Sequence, residues 1–113
     1  MGTAENAVTR AVVDLLTTSG WLVVRTQAGT AHGGRMRLGP EGWPDLTCFG
    51  PKGRVLLIEV KRWGGKVRPA QAVMGAKLMS MGHAVWFCDS VDDAMYILNK
   101  NTTRSTLDEE HPE

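Results

Sequence analysis

Cysteine, tyrosine and phenylalanine are scarce in this 113-residue chain, which has two, one and two of them. Both cysteines, Cys48 and Cys88, fall inside apolar strand-like runs. That predicts a buried, reduced pair in an intracellular protein rather than a disulfide framework. Neither the cysteines nor the three histidines show zinc-ligand spacing. No apolar run approaches the roughly 18 residues that cross a bilayer. The opening Met1-Gly2-Thr3-Ala4-Glu5 offers neither the basic nor the apolar segment of a signal peptide. A cytoplasmic location without membrane contact is the expectation. At 42% hydrophobic and 22% charged residues, the composition excludes a wholly disordered or fibrous chain. The length suits one domain.

The net charge of +1 conceals a strong polarity along the chain. Residues 25–77 hold ten basic and three acidic groups, a local balance of +7. Residues 78–113 hold two basic and seven acidic groups, a balance of −5. A basic middle suits a polyanion, because each neutralised phosphate releases condensed counterions. Charge alone fits a solvated basic surface equally well.

Pattern reading gives an order α-β-β-β-α-β-α, a mixed four-stranded sheet flanked by helices. Apolar residues spaced three and four apart, from Ala7 to Leu16, predict a helix over about 4–18, capped by Thr3 and stopped at Gly20. Residues 21–24 read as a strand. Residues 27–42 are glycine-rich, carry Arg35 and Arg37 and lack periodicity, which predicts a long loop of the functional kind. Strands follow at 45–49 and 54–62, joined by a turn at 50–53. The unbroken apolar run Val55-Leu56-Leu57-Ile58 predicts a central strand covered on both faces. Pro69 opens a second helix that ends near Gly82. A strand at 84–88 and a helix starting at Ser90-Val91-Asp92-Asp93 complete the domain, residues 1–100. Residues 101–113 read as a disordered acidic tail.

Polar residues on the strands carry the chemical information. Glu59 and Lys61 interrupt an apolar central strand and, two apart, share one face. Charged groups there are costly unless paired or bound to a metal. A strand end with a local salt bridge is one reading. In the other, the hairpin between 45–49 and 54–60 brings Asp45 opposite 58–59, so that Asp45 and Glu59 meet. Two carboxylates beside a lysine make an oxygen site for Mg²⁺ or Mn²⁺. Such an ion activates water and polarises phosphoryl oxygens, and Lys61 is suited to orienting that water or stabilising charge on the phosphate.

Gly42-Trp43-Pro44-Asp45 followed by Glu59-Val60-Lys61 resembles the Pro-Asp…Glu-x-Lys signature of restriction-endonuclease-like nucleases. The continuation Arg62-Trp63-Gly64-Gly65-Lys66-Val67-Arg68-Pro69-Ala70-Gln71 resembles the virus-type replication-repair nuclease (VRR-NUC) domain, where a Gly-Gly linker follows the lysine and a glutamine opens the next helix. Met81-Gly82-His83-Ala84-Val85 and Ser90-Val91-Asp92-Asp93-Ala94 also fit, so the resemblance spans about residues 3–98, as in stand-alone phage and bacterial members. It implies a restriction-endonuclease-like α/β fold. It also implies a metal-dependent DNA endonuclease that acts as a homodimer on branched DNA such as Holliday junctions. Asp45 and Glu59 would bind the metal with the Val60 carbonyl. Lys61 would be the catalytic lysine, and Gln71 would face the site and help hold the lysine or the phosphate. Glu5 would approach the metal directly or through water, although a first-turn glutamate also suits the helix dipole. Where relatives often have Ser-Pro-Glu-Gln, this chain has Arg68-Pro69-Ala70-Gln71. A catalytically silent DNA-binding module, or a nuclease for another nucleic acid, is the alternative.

Arg35, Arg37, Lys66 and Arg68 are the phosphate-contact candidates. Trp63, between Arg62 and Lys66, suits base stacking or packing equally. His32 reads as a loop residue without a role and His83 as part of a helix cap. Trp21 and Trp86 read as core, and Met74, Met79 and Met81 as packing.

Overall fold

The computed structural model describes residues 4–31, 34–37, 39–61 and 64–110, with side chains described for 6–26, 39–61 and 64–101. Helix α1 (Ala4–Thr18) leads into β1 (Leu22–Arg25), β2 (Gln27–Ala31), β3 (Gly34–Arg37) and β4 (Leu46–Phe49). A single 3₁₀ turn at Pro51–Gly53 leads to β5 (Val55–Val60). Then come α2 (Pro69–Ser80), β6 (Val85–Cys88) and α3 (Val91–Glu110). The main sheet has the order β1-β4-β5-β6. Its first two pairings are antiparallel and β5–β6 is parallel. It is the expected mixed, four-stranded, helix-flanked sheet, and β5 is central in it.

Two segments depart from the pattern reading. Residues 27–31 and 34–37, in the stretch expected to be loop, pair as a separate two-stranded antiparallel hairpin, β2–β3. Its pairing shifts register between Gln27 and Thr30, and a hairpin of glycine, threonine and arginine lacks the apolar alternation that announces a strand. Residues 101–110, expected to be tail, continue α3. Thr102 and Thr103 are poor helix formers taken singly, yet the helix nucleated at Ser90 runs on through them. Residues 111–113 lie outside the described residues.

The apolar stripe of α1 faces the sheet, with Val12 and Leu16 fully buried. Gly20, at φ +93°, takes the left-handed turn that ends the helix. The Gly20 N–H donates to the Thr17 carbonyl (3.1 Å) and the Trp21 N–H to the Leu16 carbonyl (3.0 Å), a Schellman closure. Alternate residues Leu56, Ile58 and Val60 of β5 point into the same core as Leu46, Cys48 and Cys88. Ala94, Ile97 and Leu98 of α3 close it. Trp21 is buried as expected, and Trp86 packs against the cluster from a partly buried position.

The opposite face of the sheet carries Leu57, Glu59 and Val85, with α2 lying against β6. Here the expected packing is only partly realised. Leu78 is buried, whereas Val73, Met79 and Met81 are exposed. Away from α2, the cross-strand row Leu22, Phe49 and Val55 is exposed as well. So one face of the sheet holds the core, and the other is covered by α2 only in part.

Candidate active site

The site is built where the β4–β5 ladder runs out. Leu46 pairs with Ile58, which sets Asp45 beside Glu59 one step further on. There backbone pairing gives way to two reciprocal side-chain bonds. The Asp45 N–H donates to Glu59 Oε1 at 2.9 Å. The Val60 N–H donates to Asp45 Oδ2 at 2.9 Å. Each carboxylate thus commits one oxygen to a backbone amide of the other's strand, which locks both side chains toward one point. The meeting of Asp45 and Glu59 expected from hairpin pairing is present.

Glu59 is 1% exposed. Its second oxygen, Oε2, is buried with no hydrogen-bond partner. The only cation near it among the described residues is Lys61, whose Nζ lies 3.9 Å from Oε2, beyond hydrogen-bond reach. Burial, and then the neighbouring Asp45 carboxylate, push the Glu59 carboxyl up to about 7. Lys61 is held by its backbone, since its N–H donates to the Cys88 carbonyl at 2.8 Å. Its side chain is 13% exposed.

Gln71 sits three residues into the segment that starts α2, and it is buried. Its Oε1 accepts the Arg68 N–H at 2.9 Å, so the amide oxygen caps its own helix. With Gly42, Pro44, Glu59, Val85 and Phe87 it lines a small pocket of about 10 Å³, close to the volume of one water-sized sphere. Gly42 makes this junction possible. It lies at φ +85°, and a Cβ there would be 2.2 Å from the Ala70 carbonyl oxygen. The loop before Asp45 and the start of α2 are therefore in direct backbone contact.

Thr26, unremarkable in the sequence, is the residue that pattern reading missed. It is buried between β1 and β2. Its N–H donates to the Asp45 carbonyl at 2.8 Å and its hydroxyl donates to the Pro44 carbonyl. No local signal distinguishes a threonine with this task from one placed in a strand for its β-branched shape. On the other side, Trp43 Nε1 donates to Thr47 Oγ1 at 2.8 Å, which anchors the same Pro-Asp turn to β4.

The donor set fits a hard divalent cation. It comprises a partnerless buried carboxylate oxygen and a second carboxylate, both oxygen donors, and Val60, expected to add its carbonyl, is the last residue of β5. Among the described residues no cluster of three or more His, Cys, Asp or Glu side chains converges. Glu5 lies in the first turn of α1, and its side chain is outside the described residues. Arg35 and Arg37 lie on β3, and their side chains are outside the described residues. Lys66 and Arg68 are exposed on the segment leading into α2. Arg62, Trp63 and His32 are outside the described residues. The His83 N–H donates to the Leu78 carbonyl at 2.9 Å, closing α2 from the backbone as a capping residue does. Cys48 and Cys88 are free and buried. Burial pushes the Cys48 thiol up to about 12, so it is not a nucleophile at neutral pH.

No protein-family model and no curated protein sequence matches the chain. Among solved structures it is similar to one titled "VRR_NUC domain", with a TM-score of 0.71 at 22% sequence identity. The match covers 87% of this chain and 97% of the other. The chain has the VRR-NUC fold. The mixed four-stranded sheet of that fold is what brings the Pro-Asp turn and the Glu-x-Lys strand to one place. No described helix is long and apolar enough to cross a membrane.

Proposed function

We propose that this VRR-NUC-fold chain is a divalent-metal-dependent nuclease of the VRR-NUC family that hydrolyses phosphodiester bonds in DNA. The observation that carries this reading is the buried, partnerless Oε2 of Glu59, set beside Asp45 and 3.9 Å from the Lys61 ammonium. A buried polar atom without a partner is rare and calls for an occupant. Mg²⁺ or Mn²⁺ would draw oxygens from Asp45, Glu59 and the Val60 carbonyl, with Glu5 contributing directly or through water. When bound, such an ion polarises a phosphoryl oxygen and lowers the pKa of a water molecule.

Lys61 brings a fixed positive charge to the same place, where it orients the attacking water or stabilises charge growing on the phosphate. Gln71 has its oxygen engaged in the helix cap, which leaves its amide N–H₂ to donate to the phosphate; the lysine ammonium, itself a donor, offers that group no acceptor. The water oxygen bonds to phosphorus as the bond to one sugar oxygen breaks, giving a phosphate end and a hydroxyl end. Arg35, Arg37, Lys66 and Arg68 grip flanking phosphates. A single protomer holds one such site, and symmetric cutting of two strands requires a two-fold pair. The reading therefore extends to a homodimer acting on branched DNA, of the Holliday-junction type.

Cleavage of a labelled four-way junction, a linear duplex and a single strand, in EDTA, Mg²⁺ or Mn²⁺, tests it. Metal-dependent paired nicks on the junction, absent in Lys61→Ala and Asp45→Asn variants that still fold, are expected. Cleavage of all three substrates alike would retain the chemistry and discard the junction preference. Binding without cleavage under every metal would make the chain a silent DNA-binding module.

A further inference from the structure

We infer that Thr26 is a positioning residue for the proposed metal site, its hydroxyl holding the Pro44–Asp45 peptide in the place from which Asp45 reaches the ion. The inference rests on the metal-site reading above and extends it to a residue with no acidic or basic chemistry of its own.

Three observations converge on Thr26. First, it is only 4% exposed, a buried polar residue. Second, it binds two consecutive carbonyls: its hydroxyl donates to that of the Pro44–Asp45 peptide and its N–H to that of Asp45, one residue on. Third, the β4–β5 register ends at Leu46 and Ile58, and beyond it the strands are joined by side-chain bonds instead, the Asp45 N–H donating to Glu59 and the Val60 N–H to Asp45. On the β5 side, then, the two carboxylates hold the turn. On the β1 side Thr26 holds it. If a cation draws on Asp45, its carboxylate keeps its aim only while the peptide behind it is anchored. Residues that orient metal ligands in this way typically change metal affinity ten- to a hundred-fold when lost.

The position of Thr26 adds a second consequence. It is the single residue between β1 and β2, so it joins the four-stranded sheet to the hairpin that carries Arg35 and Arg37. The root of that hairpin and the backbone of the metal ligand are hydrogen-bonded to each other.

The backbone N–H survives any substitution except proline, so the hydroxyl is the group to test. Thr26→Val keeps the branched shape and removes the donor, whereas Thr26→Ser keeps the donor and removes a methyl. Mn²⁺ binding is measured on the full chain without DNA, by the electron paramagnetic resonance signal of free Mn²⁺, with melting in EDTA recorded alongside. The expected result is an Mn²⁺ affinity lowered about tenfold or more in Thr26→Val and within about threefold of wild type in Thr26→Ser. A merely structural threonine would lower the melting temperature and leave Mn²⁺ affinity of the folded protein unchanged, which would overturn the inference. If Thr26→Val does not fold, Thr26→Cys replaces it, because a thiol is a weak donor of similar size. Wild-type Mn²⁺ affinity in that variant would likewise overturn it. Should wild-type protein bind no Mn²⁺ at all, the metal-site reading itself fails and the Thr26 inference falls with it. Wild-type binding that Asp45→Asn abolishes and Thr26→Val spares sinks the Thr26 inference alone.

Discussion

Replacing Glu59 by glutamine tests the electrostatics of the site without requiring any substrate. Burial, and then Asp45, raise the Glu59 carboxyl from 4.5 to about 7 in the folded protein, whereas in the unfolded chain it keeps its ordinary value. Between those two pH values the folded state holds a proton that the unfolded state has released, so wild-type stability falls as pH rises through the window and levels off above it. At about 1.4 kcal/mol per pH unit, the loss is on the order of 3 kcal/mol between pH 4.5 and 7. Glu59→Gln keeps the oxygen that accepts the Asp45 N–H and carries no charge, so its stability lacks this slope. Below about pH 4.5, where Glu59 is protonated in both states, the metal-free variant and wild type should share one pH response. By pH 8 the variant should have gained about 3 kcal/mol on wild type, on the order of 10 °C in melting temperature at about 4 °C per kcal/mol for a domain of this size. Urea denaturation in EDTA at pH 5, 6, 7 and 8 measures this directly. Adding Mn²⁺ at pH 8 should reverse the wild-type loss, by about 2.7 kcal/mol at a hundred times Kd, and do nothing for the variant. Parallel stability curves for the two proteins across this range would refute the reasoning, because they would mean that Glu59 carries no unfavourable buried charge.

Other perturbations probe the frame around the site. Gly42→Ala forces a side chain into φ +85° and against the Ala70 carbonyl, and should cost more than about 1 kcal/mol while reducing cleavage by the part that still folds; urea denaturation with a cleavage assay separates the two effects. Gly50→Ala meets the Trp21 ring at 2.6 Å from an ordinary backbone conformation, so it should lose about 1–3 kcal/mol by overpacking alone, with Mn²⁺ affinity unchanged. Lys66→Ala and Arg68→Ala should each weaken DNA binding across sequences and reduce the slope of log K against log salt by about 0.9, read from anisotropy titrations between 50 and 200 mM salt. Glu5→Gln should lower cleavage more at limiting than at saturating Mg²⁺ if its carboxylate serves the metal, and equally at both if it serves only the helix dipole.

Much of the molecule can be read from residue order, because it depends on local rules. The apolar spacing of α1, its stop at Gly20, the unbroken Val55–Ile58 run and the proline at the head of α2 each specify an element through backbone preference and periodicity. The pairing of Asp45 with Glu59 was legible too, since a four-residue connection leaves a hairpin little freedom of register. What stayed hidden depended on long-range contact. The β2–β3 hairpin lacks alternation, and α3 extends past residue 100 through residues that do not favour helix. The exposure of Val73, Met79 and Met81 depends on how little of α2 the sheet covers. Above all, tertiary structure decided the environment of the carboxylates. Sequence supplies Asp45, Glu59 and Lys61 simply as three charged residues. Only the fold strips water from Glu59, leaves its Oε2 without a partner and sets Thr26 behind Asp45, because desolvation and anchoring are properties of what surrounds a group, and neighbours distant in sequence appear only when the chain is folded.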